Sequence, residues 1–515
     1  MNLTRNYIKN YRDCLLVLLG AFALQSCDKK FAQINTNPDA TSTVVPSYVF
    51  TKAEYDGVSN MLDLLIGTMQ YTTSYNDVAG FGSKYSPGQS TQTFGAFDGA
   101  YTNWVNELEI VMKALQGDAT QSNLLLEAKI WRVYCFSRLT DLYGDIPYSQ
   151  AAKGYDATIF KPAYDAQKDI YADMLSQLDS CAQALDATKA TFGAADLIYG
   201  GNTDQWKKFA YSLMLRQGMR MTKVDPTSAQ TWVTKAIAGG VILQDADIAA
   251  MSYVGSGQDI NKNPLANDLW TNDYIAQDGF TNTEGGKYQD VWINYLKANN
   301  DPRLPVISIV YNNGVADTSV ALQVGMGADY PNAKPPLFGT YSEPNPKTVL
   351  LLNSPRLLYT AAESYYLLTE AALRGWYPAG DPAMLFQNGI QAAMRQWALI
   401  APVDGVIPPA RIAAYVANNP LNTAGSFDDQ MNQIYTEFWA SVFPDAQEAF
   451  ANYRRTGYPA LVPNNYPLNV TGGQIFRRML YPQSEQTLNA ESYAAAIARQ
   501  GPDALLTHIW WDVAQ

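Results

Sequence analysis

The chain has 515 residues, enough for one large core or two to three smaller ones. It carries 36 Lys+Arg against 48 Asp+Glu, and removing residues 1–26 leaves 33 against 47, a balance of −14. No Lys/Arg-rich run offers the clustered cations that neutralise phosphates, which excludes a nucleic-acid function.

The first element is an export signal. Arg5, Lys9 and Arg12 form a cationic leader, and residues 14–24 form an apolar run. That run is too short to cross a hydrocarbon core of about 30 Å as a helix but suits a signal peptide. It ends in Leu24-Gln25-Ser26-Cys27, which resembles a bacterial lipobox. There the Cys27 thiol takes a diacylglyceryl group and the mature chain begins at Cys27. An ordinary secretory signal with an incidental Cys27 is the competing reading. Residues 1–26 are thus a lipoprotein signal and 27–46 a lipidated tether, turn-rich around Asn37-Pro38-Asp39.

Residues 47 to about 70 read as a first long helix, on an apolar stripe that includes Val58, Leu65 and Met69. A Gly-, Ser- and aromatic-rich loop runs from Tyr71 to about Phe94. Loops of this length inside compact domains are functional or disordered, and the aromatics argue for function. A helical hairpin is predicted over 97–115 and 123–142. In its second arm Leu124, Ala128, Trp131, Cys135, Leu139 and Leu142 make the core stripe, while Glu127, Arg132 and Asp141 fall on other faces. Helices follow at 164–185, 204–221 and 226–238.

From about 239 to 354 the helical period fades into an irregular insert with a single helix near 288–298. Helices return at 356–374, 382–398, 428–443 and 444–453. Beyond Thr456 the chain is irregular again, apart from a helix near 491–498. Helix pairs joined by short loops predict a mainly α, solenoid-like scaffold. Within 356–398, Ala361, Tyr365 and Ala372 face Ala383, Phe386 and Gly389 in a small–large interlock that resembles a tetratricopeptide repeat. The scaffold spans about 47–238 and 355–455 of a single domain, 47–515. The insert at 239–354 forms the ligand side, and 456–515 is an irregular C-terminal part.

Only two cysteines lie outside the signal and the lipobox, Cys135 and Cys181. Both fall in amphipathic helices and are expected as free buried thiols, although an exported protein permits a disulfide. The single histidine, His508, and the lack of any Cys-x-x-Cys pair exclude a Cys/His zinc site. No cofactor is predicted. An oxygen-ligand Ca²⁺ site has no readable spacing among the loop acids.

Several stretches point together to a family. They are Ile34-Asn35-Thr36-Asn37-Pro38, Tyr143-Gly144-Asp145-Ile146-Pro147-Tyr148, Asp301-Pro302-Arg303-Leu304 and Tyr453-Arg454-Arg455-Thr456-Gly457. Arg477-Arg478-Met479-Leu480-Tyr481-Pro482, with Glu485 and Asn489, and the closing Trp510-Trp511-Asp512 complete the set. In order and number they resemble the SusD/RagB-type outer-membrane lipoproteins of Bacteroidetes. The resemblance implies tetratricopeptide-like helix pairs as scaffold and no catalytic activity. It also implies capture of a nutrient, most often a glycan, at the cell surface for a SusC-like TonB-dependent transporter. Taken alone, Asp145 reads as a turn hydrogen bond, and Arg454 and Arg455 as ion pairs or as a grip on an anion.

Sugar binding needs flat apolar faces for C–H surfaces and planar polar groups for hydroxyls. With 34 Tyr and 11 Trp against 18 Phe, the chain is rich in rings that carry a polar handle. Two stretches concentrate them outside strong helical periodicity. The predicted ligand-binding residues are Tyr75, Asn76, Asp77, Phe81 and Tyr85 in one, and Trp270, Asp273 and Tyr274 in the other. The main rival is a glycosidase using two carboxylates such as Asp77 and Asp273. A peptide is the alternative ligand. His508 has no Gly-x-Ser-x-Gly elbow to complete a triad.

Overall fold

The computed structural model describes residues 44–59, 63–75, 83–85, 95–272, 286–312, 315–328, 335 and 338–513. Contacts divide the chain into a leading unit, Met1–Val45, and a body, Pro46–Gln515. Of the leading unit, Val44 and Val45 are described, and both are exposed.

The body opens with α1 (Pro46–Ser59) and α2 (Asp63–Thr68), both within about a residue of the span expected to be helical, 47–70; residues 60–62 lie outside the described residues. Strand β1 (Thr72–Thr73) follows. The helix expected over 97–115 is two, α3 (Gly95–Thr102) and α4 (Trp104–Leu115). They break at Asn103, whose side-chain amide donates to Gly99 O at 3.0 Å. Such local side-chain bonds compete with the helical ladder.

Helix α5 (Ser122–Tyr143) matches its predicted span to one residue at either end. Its environment was not foreseen. Glu127, Arg132 and Asp141 are all buried, because helices pack around α5 from several sides. Gly144 ends it with φ of +80° and donates its N–H to Thr140 O at 2.7 Å. A side chain there would be strained and would collide with Gln500.

Strands β2 (Ile146–Pro147) and β3 (Tyr164–Asp165) pair antiparallel and lead to α6 (Gln167–Ala184), α7 (Thr203–Arg220) and α8 (Pro226–Gly239). Asn202 caps α7, and Asp225 caps α8 with Pro226 as its first residue. Elements then shorten through β4 (Ala249–Met251), α9 (Pro264–Asn272), β5 (Lys287–Tyr288) and α10 (Asp290–Ala298). A three-stranded antiparallel sheet joins β6 (Ser308–Asn312), β7 (Val315–Asp317) and β8 (Glu343–Pro344) in the order β7-β6-β8.

Strand β9 (Arg356–Tyr359) pairs with β4 and leads into α11 (Ala361–Leu373), α12 (Pro382–Arg395), α13 (Pro409–Asn418), α14 (Phe427–Val442) and α15 (Ala446–Thr456). The chain closes with α16 (Gln483–Leu488) and α17 (Ala490–Gln500). Successive helices pack as neighbours: α5 on α6, α6 on α7, α7 on α8, α11 on α12 and α14 on α15. The α11–α12 approach is set by Gly389, where an added Cβ would lie 2.8 Å from the Tyr366 ring. Tyr366 is buried, whereas Tyr365, the expected interlock residue, is half-exposed and donates to Leu243 O at 3.3 Å.

Between the helices the interior is both apolar and ionic. Arg216 on α7 meets Glu363 on α11 at 2.6 Å, and Arg220 meets Glu448 on α15 at 2.5 Å. Arg138 on α5 grips Asp445 through both guanidinium ends, at 3.0 and 2.9 Å, and holds that carboxyl far below its usual range. Cys135 and Cys181 are free and buried. Burial pushes the Cys181 thiol up to about 11 and raises that of Cys135 well above its ordinary value.

Candidate functional site

The residues that identify the family by sequence are mostly internal. Asp145 Oδ1 accepts from the Gln167 amide and Oδ2 from Arg499, each at 2.9 Å; burial lifts its carboxyl above the usual range against those two contacts. Arg303 holds Asp301 and, across to α14, Glu437 at 2.6 Å. Arg455 pairs with Glu370 at 2.9 Å beneath the Tyr435 ring. Arg454 lies over the rings of Phe450 and Trp511 and donates to Arg477 O at 2.8 Å. Of the two readings open for Arg454 and Arg455, the structure shows contacts inside the fold.

The predicted ligand residues lie elsewhere. Strand β1 pairs antiparallel with β5, Thr72 opposite Tyr288 and Thr73 opposite Lys287. Tyr75 thus follows the end of one strand by two residues, and Gly286 precedes the start of the other. Of the two stretches singled out from sequence, the first thus enters beside this ladder at Tyr75, whereas the second ends in a helix whose Trp270 is bonded elsewhere.

Around that ladder the contacts are rings and backbone. Tyr75, half-buried, packs edge-on against Phe338, with centroids 5.2 Å apart and planes at 89°. The Lys287 ammonium lies 4.8 Å from the Phe338 centroid and pairs with Glu343 on β8. Lys84 donates to Tyr75 O at 2.6 Å and lies 4.6 Å from the Tyr466 ring. Thr73 and Ser83 share a hydroxyl bond of 2.9 Å, Asn464 donates to Ser83 O, and the Val470 amide donates to Tyr85 O at 2.8 Å. Four segments therefore converge on one edge: 72–75 with 83–85, 286–288, 338–343 and 464–476.

Tyr85 belongs to this frame but is 3% exposed. Its ring packs against Phe476 and its hydroxyl donates to Thr68 O at 3.3 Å, so burial raises its pKa. Trp270 stands on α9, not on the loop expected there, and donates its indole N–H to Leu350 O at 2.6 Å. Asn76, Asp77, Phe81, Asp273, Tyr274 and the lipidation residue Cys27 lie outside the described residues. Phe338, Lys84, Lys287 and Tyr466 were missed. Nothing in their local sequence separates them from other insert and loop residues, since their contacts come from segments far apart in the chain.

Around the ladder Tyr75 is partly exposed, whereas Phe338, Tyr466, Lys84, Lys287 and Glu343 are buried and form the packing beneath it. Glu343 is buried and committed to Lys287, so it is not placed as an exposed general acid. Among the described residues no group of three or more His, Cys, Asp or Glu could hold a metal ion. No described helix is long and apolar enough to cross a membrane.

Comparison with known proteins names the class. Residues 38–482 match the SusD-like_2 family model, described as starch-binding associating with outer membrane. The chain belongs to this SusD-like family of non-catalytic binding proteins associated with the outer membrane. A solved structure named chitin-binding protein is 28% identical, covers 91% of this chain and 100% of its own, and superposes with a TM-score of 0.76. A SusD-like structure from Bacteroidetes AC2a is 25% identical over 92% of this chain and 100% of its own, with a TM-score of 0.78. A SusD homologue from Bacteroides uniformis, 24% identical over 91% and 99% of the two chains, shares the fold at a TM-score of 0.75. Comparison with curated protein sequences gave no match.

Proposed function

We propose that this protein captures an oligo- or polysaccharide at the cell surface and delivers it to a SusC-like TonB-dependent transporter. It acts as one ligand-binding domain over 47–515, built on tetratricopeptide-like helix pairs and tethered through lipidated Cys27. The observation that carries this reading is the family match over residues 38–482, supported by half-buried Tyr75 standing beside the β1–β5 ladder against Phe338. Tyr75, Asn76, Asp77, Phe81, Asp273 and Tyr274 are its proposed sugar-contacting residues. Tyr85 supports the frame from beneath, and Trp270 contributes the exposed part of its ring. The starch-binding description of the family and the similarity to a chitin-binding protein support a glycan ligand.

The test is to incubate soluble protein, residues 28–515, with starch, chitin and other polysaccharides while measuring retention and release of reducing ends. Retention without cleavage is the expected result. Cleavage abolished by removing one carboxylate would replace capture with hydrolysis, and failure to retain any glycan would redirect the search to peptides. For the anchor, Cys27→Ala should move the protein from the membrane to the soluble fraction. Protease added to intact cells should digest the native protein if it faces outward.

A further inference from the structure

Three carboxylates meet in the interior, away from the candidate edge. Glu54 comes from α1, Glu127 from α5 and Asp196 from the 185–202 loop between α6 and α7. All three are buried. Asp196 is fully satisfied: Oδ1 accepts from the amides of Ile198 and Tyr199 at 2.8 and 3.1 Å, and Oδ2 from the Gly201 amide and Trp206 indole at 2.7 and 2.8 Å. Four donors suit an ionised carboxylate.

Glu54 and Glu127 differ from it. Glu54 Oε2 accepts from the Leu197 amide at 2.7 Å, and Glu127 Oε2 from the Phe192 amide at 3.2 Å. Each keeps a buried Oε1 with no hydrogen-bond partner. The charged groups acting on them are one another and Asp196; no cation does so among the described residues. The other titratable groups facing the cluster are the Cys135 thiol from α5 and the Tyr199 hydroxyl from the loop, both raised by burial and therefore neutral.

Three adjacent buried anions without a cation are electrostatically untenable, so protons must reside on the two poorly solvated groups. Thr51, one turn before Glu54 on α1, also binds the loop by donating to Ala195 O at 2.7 Å. We propose that protonated Glu54 and Glu127 form a latch holding the 185–202 loop against α1 and α5, which loosens as pH rises. Burial, with Asp196 adding to it, lifts Glu54 well above the carboxylate range and Glu127 to about 8. Because the closed form binds the extra protons, the latch is strongest at low pH and weakens as pH climbs toward the closed-state pKa.

Hydrogen exchange on the intact protein tests this. Amide protection at Phe192, Leu197 and Gly201 should fall by about tenfold per pH unit for each proton released, between about pH 5.5 and 7.5, beyond intrinsic base catalysis. Amides near Tyr366 serve as the reference. Glu54→Gln and Glu127→Gln should each flatten that slope. Protection that is independent of pH in the wild type, or a slope retained in both variants, would overturn the latch. Infrared spectroscopy of the wild type needs no variant: a protonated carboxyl band at neutral pH is expected, and its absence sinks the proposal.

Discussion

The interior of the helical body and the edge at the β1–β5 ladder are held by different balances of contact: many arginine–carboxylate pairs in one, mostly rings, hydroxyls and backbone in the other. Inside, arginines such as Arg138, Arg216, Arg303 and Arg455 meet carboxylates from distant helices in ion pairs closed to water. At the edge, Tyr75 meets Phe338, Lys84 lies over Tyr466 and bonds Tyr75 O, and one ion pair, Lys287 with Glu343, is present. A buried ion pair tolerates little change, because losing one partner strands the other charge. A ring contact tolerates more. This contrast explains why residues that mark the family lie in the scaffold and carry no information about which ligand is bound.

The largest effect should come from breaking the interior. Arg303→Met strands Asp301 and Glu437 and should cost about 3–5 kcal/mol in chemical denaturation, while glycan retention per folded molecule stays unchanged. Loss of retention at full folding would place Arg303 in the ligand site and collapse the distinction. Next, Gly144→Ala forces a side chain into a positive-φ position against Gln500. A penalty of about 2 kcal/mol or more is expected from backbone strain plus collision.

At the edge the balance should reverse. Tyr75→Ala should weaken glycan affinity by roughly 1–3 kcal/mol if its ring stacks on the ligand; losing its contact with Phe338 should reduce stability by about 1 kcal/mol. Unchanged affinity in titration calorimetry would remove Tyr75 from the site. The smallest effect belongs to Trp270→Phe, which deletes the bond to Leu350 O and should cost about 1 kcal/mol of stability. Affinity should change less than stability if the half-exposed ring contributes only its face.

What the sequence revealed follows the same division. Periodicity located α5, α7, α8 and α14 within a residue or so, since each repeats apolar residues over many turns. It missed the break at Asn103, which one side-chain hydrogen bond creates between two amphipathic stretches. It also missed α9, where Asn267 and Asp268 read as loop. Burial was harder still. Tyr85 sits among Gly, Ser and Lys and reads as exposed, yet it packs on Phe476, 391 positions away. Glu127 and Asp141 look like outer-face residues until the surrounding helices are in place. The contacts of Tyr75 and Lys287 with Phe338 join segments far apart in the chain and have no local signature.

The two sealed cysteines have a practical consequence. In residues 28–515, Cys135 and Cys181 are the only thiols, and burial keeps both protonated at neutral pH. Alkylating reagents attack the thiolate, so the natural chain is chemically silent toward them. A cysteine placed at an open position, for example Val403→Cys where the side chain is 83% exposed, would be the single reactive handle. A fluorophore attached there becomes a beacon whose quenching by an impermeant dye reports, on living cells, which way the molecule points.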